Sequence, residues 1–269
     1  MTLTGPATRS PAPAKNGFAA LNPLRSLPNL VVIGAMKCGT TALHHCLSAH
    51  PDIGMSQQKE LNFFFGPADP LDHCATGPNW YRGLEWYAGQ FDPTADVRGE
   101  SSPGYTSPDH PEVAARMAAV VPSARLIYLV RDPLDRALSQ YRHHVADGHE
   151  TRPYEQALLD PASQYVTRGR YWDRLVPFLE HFPPVQICIV AQEQLRADPR
   201  GVLAQVFRFL DVDDTFWCAA FESIQHRANG TAPPVELDEP VRERLVDALR
   251  DDVDRLRALA GQDFAEWNI

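Results

Sequence analysis

The sequence predicts an α/β fold: a single P-loop-like domain with a central, mostly parallel sheet flanked by helices. Three observations predict it. Short apolar runs rich in β-branched residues alternate with stretches of helical periodicity from residue 30 to residue 210. The first run, Leu30–Ile33, passes through Gly34-Ala35-Met36-Lys37-Cys38-Gly39 into an apolar-periodic helix opened by Thr40 and Thr41. A later run, ending at Val130, is followed at once by Arg131-Asp132-Pro133. Open parallel sheets bind ligands beyond the C-terminal ends of their strands, so these two loops are expected to face one crevice.

Residues 1–28 are rich in Pro, Ala, Ser and Thr, and are expected to form a flexible N-terminal arm preceding one domain over 29–269. The helix from Thr40 stops at His50-Pro51-Asp52, and Ile53–Met55 is a short second strand. Lys59-Glu60 then precedes the aromatic cluster Phe63–Phe65. Asn79–Phe91 carries Trp80, Leu84, Tyr87 and Phe91 at helical spacing. Val97 opens a short strand that enters a turn at Ser101-Ser102-Pro103, and His110–Val121 is an Ala-rich helix. Arg125–Val130 is a buried strand. Asp132 suits the N-cap and Pro133 the first turn of a helix running to about Val145. Helical stretches follow at Tyr154–Leu159, Gly169–His181, Pro199–Leu210 and Pro240–Leu259, with a strand at Gln186–Val190.

The formal net charge of −9 excludes a general nucleic-acid binder, which needs a basic surface, but not a local basic pocket. The 5 cysteines form no CxxC pair and no histidine cluster at metal-ligand spacing, so reduced thiols and no metal are expected. No apolar run has the length of a membrane span, and no charged-then-apolar leader opens the chain. A soluble, cytoplasmic protein is expected. Oligomeric state is not legible.

Strand, glycine-containing turn and helix N-terminus together form an anion cradle, with backbone N–H groups and the helix dipole aimed at one point. Lys37 adds a full charge. A nucleotide-triphosphate P-loop ends in Gly-Lys-Ser/Thr. Here the lysine lies mid-loop and a threonine takes its usual place, so the loop suits a phosphate but poorly matches an ATP or GTP site. Arg131 offers a bidentate grip on a second phosphate, or it pairs with Asp132 or Asp135. Ser139 lies about two turns along the following helix. Cys38 either has its thiol pKa lowered by the helix N-terminus or simply fills the loop.

Seven blocks, in order, carry a resemblance: GAMKCGTTAL with HPDI, KELNFFF, GLEWY, GESSPGYT, LIYLVRDPLDRALSQYRHH, RYWDRLVPFLEHFP and HRANG. Through them the chain resembles the sulfotransferases that use 3′-phosphoadenosine 5′-phosphosulfate (PAPS), most of all the heparan sulfate N- and O-sulfotransferase branch and its soluble bacterial relatives. The resemblance implies that Lys37, Cys38, Gly39, Thr40 and Thr41 hold the 5′-phosphosulfate, with Lys37 on the bridging oxygen. It implies that Arg131 and Ser139 hold the 3′-phosphate, and that Arg227, Asn229 and Gly230 in the late loop close over the phosphates. Glu60, which from the residues alone reads as a surface partner of Lys59, falls on the family's general base. Ser101 stands where several relatives have a lysine. His144, which follows Ser139 on the same helix, is a fallback base.

The expected function is therefore a sulfotransferase that moves a sulfuryl group from PAPS to a hydroxyl or amine of a sugar, lipid or secondary metabolite, by in-line displacement with Glu60 as base. The rivals are a P-loop nucleotide kinase or NTPase, and a non-catalytic nucleotide- or glycan-binding protein. Trp80, Trp86, Tyr87, Tyr105, Tyr165 and Trp172 form either an acceptor wall or ordinary core.

Overall fold

The computed structural model describes residues 26–66, 77–221 and 236–269. Five parallel strands form one sheet in the order β2-β3-β1-β4-β5. They are β1 (Leu30–Gly34), β2 (Ile53–Met55), β3 (Val97–Ser101), β4 (Arg125–Val130) and β5 (Ile187–Ala191). β1 is buried along its whole length, and β4 from Leu126 onward, as expected of strands covered on both faces. β1 pairs with β3 through Val31 opposite Glu100, and with β4 through Val32 opposite Ile127. That register delivers the ends of β1, β3 and β4 to one edge of the sheet.

The helices are α1 (Thr40–Ala49), α2 (Gly83–Ala88), α3 (Val113–Val120), α4 (Pro133–Ala146), α5 (Tyr154–Leu159), α6 (Gln164–Thr167), α7 (Tyr171–Leu179), α8 (Gln192–Ala197), α9 (Pro199–Leu210) and α10 (Glu239–Ala260). Each long helix buries one stripe: Leu43, Cys46 and Leu47 on α1, and Leu203, Val206, Phe207 and Leu210 on α9. A second core cluster joins Leu134 and Leu138 of α4, Leu158 of α5, Val166 of α6 and Leu245 and Leu249 of α10. α10 spans both clusters, because Val253 and Leu256 turn into the main core. Asp252 of α10 accepts the Trp172 and Asp173 amides at 3.0 and 2.9 Å, capping α7 from another element. No helix among the described residues is long and apolar enough to cross a membrane.

The elements depart from expectation in a few places. Asn79–Phe91 is not one helix. A 3-10 turn, Trp80–Arg82, precedes α2, and Gly83 at φ 79° re-aims the chain between them. α3 begins three residues late, since His110 closes a turn onto Ser107. α6 and α8 are single short helices that sequence periodicity did not reveal. Residues 26–28, assigned to the arm by composition, lie on the sheet: Ser26 and Pro28 are buried, and Arg98 Nε donates to the Leu27 carbonyl at 3.1 Å. The remainder of the arm is outside the described residues.

The β4–α4 junction is fixed by Asp132. Its Oδ1 accepts the Leu134 and Asp135 amides at 2.8 and 3.1 Å, the N-cap the sequence predicts. Its Oδ2 accepts the Asn268 amide at 2.6 Å and Asn268 Nδ2 at 3.1 Å. Its own amide donates to Glu193, which also holds Trp267 Nε1 at 3.1 Å. One residue thus ties α4 and the last residues together through its carboxylate, and α8 through its amide. Asp132→Ala removes the cap and leaves buried donors unpaired, so a stability loss of roughly 2–4 kcal/mol is expected in denaturant unfolding. Asp132→Asn, which keeps an acceptor oxygen, is expected to lose less.

Candidate active site

The loop after β1 is anchored where Ala35 donates to the Leu129 carbonyl at 2.7 Å. Lys37 at φ 69° and Gly39 at φ 93° both take the left-handed region, which curls the backbone into a concavity. Gly39 is required twice over: a Cβ there would strain the backbone and sit 2.7 Å from Gln192 Nε2 of α8. α1 has no side-chain cap and no acidic residue in its first turn. The amides of residues 39–42 have no acceptor among the described residues. Four donors at a helix N-terminus, lined up in a concave turn, are an anion site in waiting.

Lys37 is half-buried at this concavity. Burial pushes its pKa below the ordinary lysine value; Asp147 opposes this, Arg131 and Arg136 push it further down, and Glu60 pulls it up. Arg131 and Glu60, predicted from separate stretches, both lie within electrostatic reach of Lys37. Cys38 turns away. Its thiol is fully buried, 3.4 Å from the Tyr171 hydroxyl, and burial raises its pKa to about 11. The helix N-terminus does not activate it, and it acts as loop filler.

Tyr171, not singled out from the sequence, joins the two predicted loops. Its hydroxyl donates to the Arg131 carbonyl at 2.8 Å while touching Cys38. The Arg131 guanidinium pairs with Asp135 at 3.0 Å, one turn along α4. Asp132, the other candidate partner, is occupied as the cap. Ser139 is half-buried on α4, about two turns beyond Arg131.

Glu60 sits in a turn at φ 63°, its amide donating to the Ser101 carbonyl at 2.9 Å. Its carboxylate is paired with Lys59 at 2.8 Å. The turn is held by Glu100, a fully buried carboxylate that accepts hydrogen bonds from Tyr87 (2.5 Å), Ser102 (2.6 Å) and Tyr105 (2.9 Å). Burial pushes the Glu100 pKa up and these three bonds pull it down. The Tyr105 hydroxyl in turn receives the Phe63 amide at 2.9 Å, and Ser102 Oγ receives the Asn62 amide at 3.1 Å. Tyr87, Tyr105 and Tyr165 are buried, so half of the candidate acceptor wall is core.

Ser101 is fully buried and lies 3.0 Å from His44 Nδ1 of α1. A histidine–serine pair thus occupies the position directly after Glu100. His144 is buried, its Nδ1 2.9 Å from the Tyr165 hydroxyl, which donates to Glu150 at 3.2 Å. Helical spacing predicts one histidine of the pair turned towards the crevice; His144 is instead buried against Tyr165. Arg227, Asn229 and Gly230 lie outside the described residues.

Burial and the nearby Lys59 hold the His44 pKa down, from 6.5 to about 4. The unfolded chain takes up this proton and the folded chain does not, so His44 contributes stability above pH 6.5 that is lost as pH falls towards 4. His44→Gln is therefore expected to show a shallower loss of thermal stability across that window than the unsubstituted protein.

The Sulfotransferase family signature matches residues 28–216. A bifunctional heparan sulfate N-deacetylase/N-sulfotransferase 1 of Caenorhabditis elegans is 31% identical over 207 residues, 71% of this chain and 23% of that protein. A mouse heparan sulfate glucosamine 3-O-sulfotransferase 3B1 is 30% identical over 211 residues, 75% of this chain and 50% of that enzyme. The chain thus spans half or less of these relatives' length. A crystal structure of a sulfotransferase from Alicyclobacillus acidocaldarius superposes with a TM-score of 0.73 at 31% identity, covering 90% of this chain and 99% of that one. A mouse sulfotransferase complexed with PAP shares the fold at a TM-score of 0.58 and 14% identity, covering 88% of this chain and 90% of that one.

Proposed function

The chain belongs to the sulfotransferase family, and we propose that it transfers the sulfuryl group of PAPS to a hydroxyl or amine acceptor by in-line displacement. The observation that carries this reading is the row of unpaired amides at the start of α1, beside a Lys37 ammonium that feels both Arg131 and the Glu60 carboxylate. Such donors stabilise negative charge that builds on a leaving phosphate. PAPS, as donor substrate, supplies a sulfuryl group already activated by its bond to phosphate.

Gly39, Thr40 and Thr41 hold the 5′-phosphosulfate through their amides, and Cys38 packs the loop from beneath. Lys37 neutralises charge on the bridging oxygen as the sulfur–oxygen bond breaks. Arg131 exchanges Asp135 for the 3′-phosphate, with Ser139 completing the grip and Arg227, Asn229 and Gly230 closing from the late loop. Glu60 takes the acceptor's proton as the new bond to sulfur forms. The names of the relatives, which modify heparan sulfate, favour a sugar hydroxyl or amino group as acceptor over a lipid or secondary metabolite. Cys38, Cys46, Cys188 and Cys218 are free thiols, which suits a cytoplasmic setting; Cys74 lies outside the described residues.

A P-loop kinase would need a lysine directly before Thr40 or Thr41, where this chain has glycine and threonine. Thermal unfolding distinguishes the two readings. Adenosine 3′,5′-bisphosphate is expected to stabilise by about 2.7 kcal/mol at a hundredfold excess over its dissociation constant, with little effect of ADP. Stabilisation by ATP and Mg²⁺ alone would return the loop to the kinase class. Glu60→Gln is expected to lower sulfuryl transfer by about 10²-fold or more while leaving the bisphosphate-induced shift intact. Unchanged transfer would remove Glu60 from the mechanism.

A further inference from the structure

Tyr171 is fully buried, and its hydroxyl is engaged on two sides. The O–H donates to the Arg131 carbonyl at 2.8 Å, and the oxygen lies 3.4 Å from Cys38 Sγ. Burial keeps both the phenol and the thiol protonated at neutral pH. The hydroxyl has one hydrogen, which the carbonyl takes, so the thiol is the donor of the second bond. The other acceptor near that thiol, the Met36 carbonyl, stands farther off at 3.7 Å. The Arg131 carbonyl lies just beyond the end of β4 and accepts no other hydrogen bond among the described residues. Thiol, hydroxyl and carbonyl thus form one relay from the loop after β1 to the loop after β4.

Other contacts hold the hydroxyl in place. Tyr171 is the first residue of α7, and Asp252 of α10 accepts the next two amides, of Trp172 and Asp173, at 3.0 and 2.9 Å. The ring meets Tyr128 edge-on at 6.0 Å between centroids, and Trp267 at 5.9 Å. A phenylalanine would satisfy the same two rings. The hydroxyl adds a desolvation cost that only its two bonds offset. What those bonds fix is the separation of the two loops.

We propose that Tyr171 is a positioning residue that sets the span between two phosphate subsites, the Lys37 loop on one side and Arg131 with Ser139 on the other. This rests on the donor-binding reading above. The two phosphates of adenosine 3′,5′-bisphosphate stand at a spacing set by one ribose. A ligand that reaches both subsites makes its second contact at high effective concentration, but only where the spacing of the sites matches its own. A ligand with one phosphate does not read the spacing. Tyr171 therefore acts on the preference for two phosphates over one, through the backbone it ties rather than through contact with the ligand.

The test measures the dissociation constant of adenosine 3′,5′-bisphosphate by titration calorimetry, and those of adenosine 5′-monophosphate and 3′-monophosphate by displacement, with ligand-free melting recorded beside them. Tyr171→Phe keeps the ring and removes the relay, while Cys38→Ala cuts only its loop end. Each variant is expected to bind the bisphosphate about fivefold more weakly, the size of one hydrogen bond, and each monophosphate within about twofold of the unsubstituted protein. The double variant is expected to lose no more than Tyr171→Phe alone, because one relay is cut only once. Equal weakening towards all three ligands marks a merely structural tyrosine and overturns the proposal. Unchanged bisphosphate affinity overturns it too, as do losses that add in the double variant. If Tyr171→Phe does not fold, Cys38→Ala carries the same comparison. An unsubstituted protein that binds a monophosphate as tightly as the bisphosphate overturns the span and keeps the loop as an anion site. One that binds none of the three rejects the donor reading, and the proposal with it.

Discussion

Everything at the site follows from β1 and β4 lying side by side in parallel. Their pairing, Leu30 opposite Arg125 and Gly34 opposite Tyr128, brings two loops 92 positions apart in sequence (Gly39 and Arg131) to the same edge of the sheet. A parallel pair has both strands pointing the same way, so both following helices present their N-termini there. Tyr171 then closes the gap between the loops with one hydroxyl. Antiparallel pairing would have put the Lys37 loop and Arg131 at opposite ends.

The Glu60 turn and the loop after β1 are supported by different physics. The loop is backbone: left-handed residues, one of which must be glycine, and amides with no acceptor among the described residues. The Glu60 turn depends on a side chain, the buried Glu100, whose carboxylate organises two tyrosines and a serine. A buried carboxylate is tolerable when several donors satisfy it, and here three do. Glu60 can be partly exposed because Glu100 carries the structural burden nearby.

Much of this was legible in the sequence where local chemistry decides structure. Pro199–Leu210 has the ends read from sequence, because Pro199 suits a first turn and the Asp198 side chain caps Gly201 at 2.9 Å. Asp132-Pro133 marked α4 for the same reason. The loop with Lys37 and Gly39 was legible because its curled backbone is encoded in consecutive residues. Tyr171 was not, since its partners, Cys38 and the Arg131 carbonyl, are distant in sequence, and Glu100 was not, since nothing local marks a carboxylate that the fold will bury among three donors. Periodicity pointed one histidine of the pair towards the crevice but could not say that Tyr165 would be waiting there. α6 and α8 are too short for a helical period to register.

The Arg131–Asp135 pair has a kinetic consequence on the donor reading. Asp135 is half-exposed, so the pair is screened and weak, yet it is tethered on the same helix, one turn away. It is an internal competitor at high local concentration. A phosphate must displace it to enter, and the carboxylate recaptures Arg131 whenever the phosphate loosens. Such a competitor loosens the hold on any 3′-phosphate, in a fresh or a spent nucleotide alike, and so trades affinity for exchange.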